Sequence, residues 1–552
     1  MQGLDLPICG VVARWGIAET RTVIMKTVSI FNHVLGPVMR GPSSSHTAGA
    51  FHIGSMVRSM VGGTPKKAVL AFDPDGSYAA TYEPQGADRG FAMGMMDRPL
   101  TDEAFFTALT DAPGAGMDLR YEVRKLPGAD HPNTTDLDLT AQDGRRVHIV
   151  ARSIGGGEVE ITSIDGRPVL FNGTSWESLV EVPASQTAAA VALLGEDGGL
   201  LEAPAVQSVG GVARITVRRK HGISQSVLAR LYTLAGGPLV WESKPVYFVQ
   251  KGRPLFSSSA DILRIAAERN WSLGKIALAH EAQLLGMSED DVIEEMLRRY
   301  DVMVRSVERG LDPAFTGLQL LPSCAGSIFQ AEAEGRLSVR SLHTRAAARA
   351  LAVMHVDGAM GVVCAAPTGG SAGVIPGTMV TLAEERSLSR RQIAEALLAA
   401  GAVGMILAIR GTFAAEVAGC QVEIGASGAM AAAAVVDAVD GTAKQACDAA
   451  AIGFQNTMGT VCDLLHGMVE IPCHTRNGAA AANAFVNADL ILGGYTNYIP
   501  LDETIDAVYA VGLAMPSELR CTSKGGLAVT PSAQALKPKC CGSGCGTACV
   551  SR

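Results

Sequence analysis

The stretch that most constrains this chain runs from Ala418 to Asn477, reading AGCQVEIGASGAMAAAA and later GTVCDLLHGMVEIPCHTRN. It holds Cys420, Cys447, Cys462 and Cys473 among small residues. Cys420 follows Gly419, so its thiol can lie against closely approaching backbone. Cys473 follows Pro472 in a run with His466, His474 and Arg476, cationic neighbours expected to lower its pKa and improve it as ligand or nucleophile. Soft thiolates set far apart in a chain with no secretory signature point to an iron–sulfur or zinc site. Buried core thiols are the plain alternative, since free Cys is among the most buried residue types.

Composition narrows the function classes. A length of 552 residues suggests three or four domains, at a prior of about 150 residues each. The mean hydropathy of +0.22 fits a large core, and the net charge of −8 argues against a nucleic-acid or anionic-membrane partner. The longest apolar run, Ala399 to Ile409, falls short of the ~20 residues of a membrane span. The opening MQGLDLPICGVVARWGIAETRTVIM lacks a clean apolar region, so no signal peptide is expected and residues 1–26 read as an arm or a start-site artefact. Twelve cysteines without export imply a reducing, cytoplasmic setting where thiols bind metals.

Five motifs in order, GPSSSHTAGA, APTGGSAGVIPG, GCQVEIGASGAMAAAA, VCDLLHGMVEIPCHTRN and ELRCTSKGGLAVTP, resemble the bacterial iron–sulfur L-serine dehydratases. The resemblance covers most of the chain from Thr27 to Pro531. It implies a [4Fe–4S] cluster on Cys420, Cys462 and Cys473, with an open iron acting as Lewis acid on a departing hydroxyl. It implies a substrate pocket of Ser43, Ser44, Ser45 and Thr47, walled by Pro367, Thr368, Gly369 and Gly370 and joined by Arg476 and Asn477. His46 and Asp88 are the expected catalytic residues, the partner is a small amino acid, and a homodimer is expected.

In chain order, 27–184 reads as an α+β, beta-chain-type domain, with SSSHT leading into a helix from Gly49 to Val61. Hydroxyls and free N–H groups at a helix start either cap the helix or cradle a carboxylate, and His46 adds a proton carrier. HPNTTDLDLTAQDGRRVHIVARSIGGGEVEIT reads as three strands joined by an Asp-Gly hairpin and a Gly-rich turn. Residues 185–250 form a small α/β unit that resembles an ACT-type amino-acid-sensing module, with RRKHGIS as its ligand loop; a structural βα linker is the alternative. Residues 255–531 turn to mostly all-α, alpha-chain-type helix, with a Ser288/Asp291 capping box and one Gly-rich loop at APTGGSAGVIPG. Residues 532–552 are a Cys-rich tail.

Departures from the family pattern matter for mechanism. Where relatives carry Gly-His-Gly-Thr-Asp, this chain reads Pro84-Gln85-Gly86-Ala87-Asp88, so the imidazole is gone and His46, His131, His355 and His466 are the substitutes to weigh. Lys524 is a weak context for a pyridoxal-phosphate lysine. In the tail, Cys540, Cys541, Cys545 and Cys549 leave three readings open: a ligand that reaches back to the open iron, a separate zinc or copper site, or a disordered extension. A metal- or redox-sensing binder with little turnover, or a lyase for a different amino acid, therefore stands beside the serine lyase. Single Ser replacements of Cys420, Cys462 or Cys473 are expected to abolish the visible absorbance of thiolate-bound iron, while replacing Cys364 or Cys447 leaves it intact.

Overall fold

In the computed structural model, which describes residues 27–539 except 236 and 238, alternation builds the first sheet. Val147, Ile149 and Ala151 are buried on one face of their strand while the intervening residues are part-exposed. The strands in chain order are β1 (Val38–Arg40), β2 (Lys67–Phe72), β3 (Asp118–Val123), β4 (Thr134–Thr140), β5 (Arg146–Gly155), β6 (Glu158–Ile164) and β7 (Arg167–Phe171). Strands β2 to β7 form one sheet in the order β3-β2-β4-β5-β6-β7, parallel only between β2 and β3. Helices Gly49–Met60 and Ala87–Met95 share its core through Ile53, Val57 and Phe91. They cross so closely that a Cβ on Gly94 would sit 2.2 Å from the Phe51 carbonyl oxygen.

A second sheet joins β8 (Trp176–Pro183), β9 (Ala205–Val209), β10 (Val212–Arg219) and β11 (Leu239–Ser243) in the order β11-β8-β10-β9, all antiparallel. With helices Thr187–Gly195 and Gln225–Ala235 the chain order is βαββαβ, the split arrangement of a ferredoxin-like unit. Its central strand β8 begins at Trp176, before the 185–250 span expected from sequence, because β8 continues the strand pattern of the preceding sheet without a break in composition. Arg219 of the RRKHGIS segment is buried in the unit, bonded to both Asp197 carboxylate oxygens (2.5 and 2.6 Å) and to the Leu194 carbonyl. That arginine therefore anchors the unit internally.

From Ser259 onward the described chain is almost all helix, and small residues set the packing distance. Every residue of Ile424–Ala438 is buried, and a Cβ on Gly453 would meet Ala429 Cα at 2.9 Å. Capping boxes at Ser288/Asp291, Ser389/Gln392 and Thr442/Gln445 start three of the helices. Helix Arg390–Arg410 is long and apolar enough to cross a membrane by length alone, but 83% of its apolar window is buried inside the fold. Its hydrophobicity serves the core.

The first described residues start in this helical core, and the chain passes from there into the sheet domain. Ile30, Phe31, Val34 and Leu35 belong to the helical cluster, held by the buried Glu281 carboxylate. That carboxylate accepts from Ser29 Oγ (2.5 Å) and from the N–H groups of Ile30 (2.9 Å) and Phe31 (3.0 Å). Next, β1 pairs antiparallel with β12 (Val362–Cys364), so Pro42 and Ser43 arrive beside the Gly-rich loop that follows β12. Glu281→Ala strands three buried donors and should lower unfolding free energy by about 3 kcal/mol in urea denaturation, with Glu281→Gln losing less.

Candidate metal centre

Local geometry explains why distant cysteines meet. Gly419, at φ +74°, lets Cys420 turn inward, and a Cβ there would lie 2.8 Å from the Thr460 carbonyl. Cys462 sits on a short parallel bridge, donating its N–H to Leu519 O (2.8 Å) while its own carbonyl accepts from Cys521 N–H (2.9 Å). Cys473 opens the helix Cys473–Leu492, so the positive end of that helix faces the site. Cys420, Cys462, Cys473 and Cys521 line one small cavity of about 30 Å³. Cys420 Sγ, Cys462 Sγ and a Glu423 carboxylate oxygen lie within 4.8 Å of one another. Cys521 was missed as a site residue from sequence: its motif marks the family, but its spacing from the other cysteines signals nothing.

The opposite wall comes from the N-terminal domain and the Gly-rich loop. Ser43, Gln85, Gly370 and Glu416 line the same space. Ser43 caps a wide turn over Ser44–Ala48, and its Oγ accepts from His46 N–H (3.1 Å). The His46 ring is clamped between Ser43 Oγ and Ser77 Oγ, each at 3.0 Å, with Glu416 Oε1 3.7 Å from Nδ1. Thr47 Oγ1 donates to Gln85 O (2.6 Å), and Gln85 Nε2 donates to Gly467 O (2.8 Å). Gly369 N–H donates to Ser44 Oγ (3.3 Å), and the Thr368 hydroxyl bonds the Glu423 carboxylate. Ser45 is buried in the turn, its carbonyl accepting from Tyr78 OH (3.2 Å).

Arg476 and Asn477 act as ties behind this space and do not line it. Asn477 Nδ2 donates to both Gly370 O and Cys473 O at 2.9 Å, while Arg476 donates to Val461 O and Asp463 Oδ1, also at 2.9 Å. Pro367 follows a cis bond from Ala366 and shapes the loop. Asp88 lies outside the space, beside Tyr82, Arg89 and Tyr121, with burial pushing its carboxyl up to about 6. Of the other histidines, His131 lies near Glu416, His355 packs beside Cys324 and His474, and His466 is exposed with Nε2 on Ala533 O. The tail residues Cys540, Cys541, Cys545 and Cys549 lie outside the described residues, as does the 1–26 segment.

The electrostatics correct one expectation. Burial pushes the Cys473 thiol well above its usual range, and the Arg476 charge does not offset it. His474 is no cation, because burial and neighbouring His355 push it down to about 3. Cys420 is raised by its hydrogen bond to the Cys462 thiol and by burial, and burial with neighbouring Glu416 lifts Glu423 to about 8. Burial also lowers His46, with Glu416 pulling the other way. Two buried acceptors on the wall, Gln85 Oε1 and Glu416 Oε2, have no partner. Four crowded thiols, unsatisfied acceptors and a helix N-terminus form a donor set that fits a thiolate-held iron–sulfur group, whose positive metal would draw the protons off.

Residues 268–528 match the family model described as serine dehydratase alpha chain. The chain is 36% identical over 293 residues to a probable L-serine dehydratase alpha chain of Bacillus subtilis, covering 53% of this chain and 98% of that protein. The chain belongs to the iron–sulfur L-serine dehydratase family. A second family member, the L-serine dehydratase alpha chain of Peptoniphilus asaccharolyticus, is 32% identical over 284 residues, 51% of this chain and 97% of its own length. A probable L-serine dehydratase beta chain of Bacillus subtilis is 38% identical over 149 residues, 27% of this chain and 66% of that one.

The contact between the two walls is tight enough to test. A Cβ on Gly369 would lie 2.8 Å from Pro42 O and 3.0 Å from Ser44 N. Gly369→Ala should cost about 1–3 kcal/mol of stability by overpacking and should weaken substrate affinity, read from thermal denaturation and KM.

Proposed function

We propose that this chain is an L-serine ammonia-lyase that converts L-serine to pyruvate and ammonia, with a [4Fe–4S] cluster held by Cys420, Cys462 and Cys473. The observation that carries the reading is the convergence of those buried thiols on one cavity with Ser43 and Glu416 opposite. When bound, the cluster supplies a Lewis-acidic iron for the leaving hydroxyl. Ser44 Oγ accepts from the Gly369 N–H, which leaves its own proton free for a substrate carboxylate at the start of the turn. Ser43 and Thr47 set that turn, and Gly370 lines the cavity beside it, with Pro367, Thr368 and Gly369 alongside in the same loop.

Gln85 stands where relatives have an imidazole and carries no proton at neutral pH. His46 is kept neutral by burial and so can accept a proton, and Glu416 beside it stabilises the resulting imidazolium. In this reading the α-proton passes to the His46–Glu416 pair, the carbon–oxygen bond breaks, and the departing hydroxide takes that proton and leaves as water. The enamine then tautomerises and hydrolyses to pyruvate and ammonia. Arg476 and Asn477 hold the cysteine loop in place, and Asp88 makes no substrate contact.

The beta-chain and alpha-chain likenesses support a single chain that joins the two kinds of domain, the sheet domain closing over the helical one. The βαββαβ unit has the strand order of an ACT-like module, which makes a regulatory amino acid its proposed ligand. Exposed apolar side chains at Leu490, Tyr495, Tyr498 and Ile499 support association of two copies, and the free thiols suit the cytoplasm. Anaerobic purification with iron and sulfide counts, beside a serine-to-pyruvate assay, tests the whole reading: absence of iron or of pyruvate would defeat it. His46→Ala should retain the iron and lower kcat/KM at least about 100-fold.

A further inference from the structure

We propose that Gln85 and Glu416 together receive the α-ammonium group of the substrate, and that Gln85 sets this chain's preference for an amino acid over the matching plain carboxylic acid. The inference deepens the serine-lyase reading above and rests on it. Its basis is two buried acceptors with nothing to accept. Gln85 Oε1 and Glu416 Oε2 have no hydrogen-bond partner, although Gln85 is 1% and Glu416 8% exposed. Both residues line the cavity that the cysteines line, and among the described residues lining it there is no Lys, Arg or His. A buried acceptor left unpaired is destabilising, so two on one cavity mark a place where a donor is missing.

Each side chain is held from behind. Gln85 N–H donates to Thr81 O (2.9 Å), its carbonyl accepts from Thr47 Oγ1 (2.6 Å), and Nε2 donates to Gly467 O (2.8 Å). Turning the amide over would set Oε1 against the Gly467 carbonyl, acceptor against acceptor, so Oε1 stays the free pole of the amide. Glu416 Oε1 accepts from Asn133 Nδ2 (3.4 Å) and faces His46 Nδ1 (3.7 Å), which leaves Oε2 as the oxygen without a partner. One neutral and one anionic acceptor suit a group that is positively charged and rich in donors. An ammonium brings three N–H donors and no lone pair, whereas a hydrogen or methyl group in its place brings neither donor nor charge. With the carboxylate at the turn beside Gly369, the ammonium gives the substrate a second fixed point. Its positive charge beside the α-carbon also eases loss of the α-proton to His46.

The test separates the ammonium from the rest of the substrate with two ligands that cannot react. L-Alanine and propionate share a carboxylate and lack the leaving hydroxyl, and only L-alanine carries the ammonium. Wild type, Gln85→Met and Gln85→Leu, reconstituted anaerobically, should be titrated with each by calorimetry and assayed with L-serine. Wild type should bind L-alanine at least about tenfold more tightly than propionate, since a hydrogen bond to a charged group is among the stronger kinds. Both variants should weaken L-alanine about tenfold, leave propionate within about twofold, and keep the wild-type iron and sulfide count. Their KM for L-serine should rise about tenfold, with kcat falling less.

An L-alanine to propionate ratio that stays at the wild-type value in both variants would overturn the proposal. That includes the case in which both ligands weaken equally, which makes Gln85 a residue of the fold alone. Equal binding of the two ligands by wild type would overturn it as well. A wild-type chain that prefers L-alanine to propionate yet makes no pyruvate from L-serine would defeat the lyase reading and leave the ammonium site standing.

Discussion

The short antiparallel pairing of Val38–Arg40 with Val362–Cys364 is the contact on which the site depends. Those three residue pairs sit where the chain leaves the helical core for the sheet domain, and they align two loops that each give a residue to the cavity lining. After β1 the chain delivers Ser43 and the His46 turn; after β12 it delivers Thr368 to Gly370. The loops then touch through Ser44 and Gly369, at a distance only glycine allows. Burial of 30–35 under the Glu281 carboxylate fixes the start of this path, because three donors converge on one buried acceptor.

Within the cavity, burial governs the chemistry. Cys420, Cys473 and Glu423 are pushed toward their neutral forms by burial and by neighbouring groups, and Arg476 is the cation set against the two thiols. A metal-free site of this kind holds its protons, so occupation by iron and loss of protons are one event. The same low-dielectric surroundings lower the His46 pKa, with Glu416 pulling the other way. Seating the Cys473 thiol at the start of a long helix adds a fixed positive end that needs no titratable partner.

Local patterns carried much of the fold. Period-two alternation located β4, β5 and β6, the capping box located the helix Glu289–Leu311, and Gly-rich punctuation located the loop at 367–370. The small middle unit was legible as helix, strand and helix, yet its central strand β8 was assigned to the preceding domain. Strand β8 shows no composition break from β7; only its pairing with β10 and β11 assigns it. The expectation of a lowered Cys473 pKa failed for a related reason. Sequence proximity to His466 and His474 does not say that one ring is exposed and the other buried neutral.

What the amino-acid sequence determined by itself was local: the cysteine-bearing motifs, the SSSHT turn and the Gly-rich loop, each set by a local need for a cap, a turn or a close approach. What tertiary structure alone decided was how they meet. It brought Cys521 and Glu416 to the cavity, turned Arg476 and Asn477 into ties, and set Asp88 outside. Local spacing encodes the conformation of a segment, whereas a cavity is formed by segments hundreds of residues apart. Their relative placement follows from burial and backbone pairing summed over the whole chain.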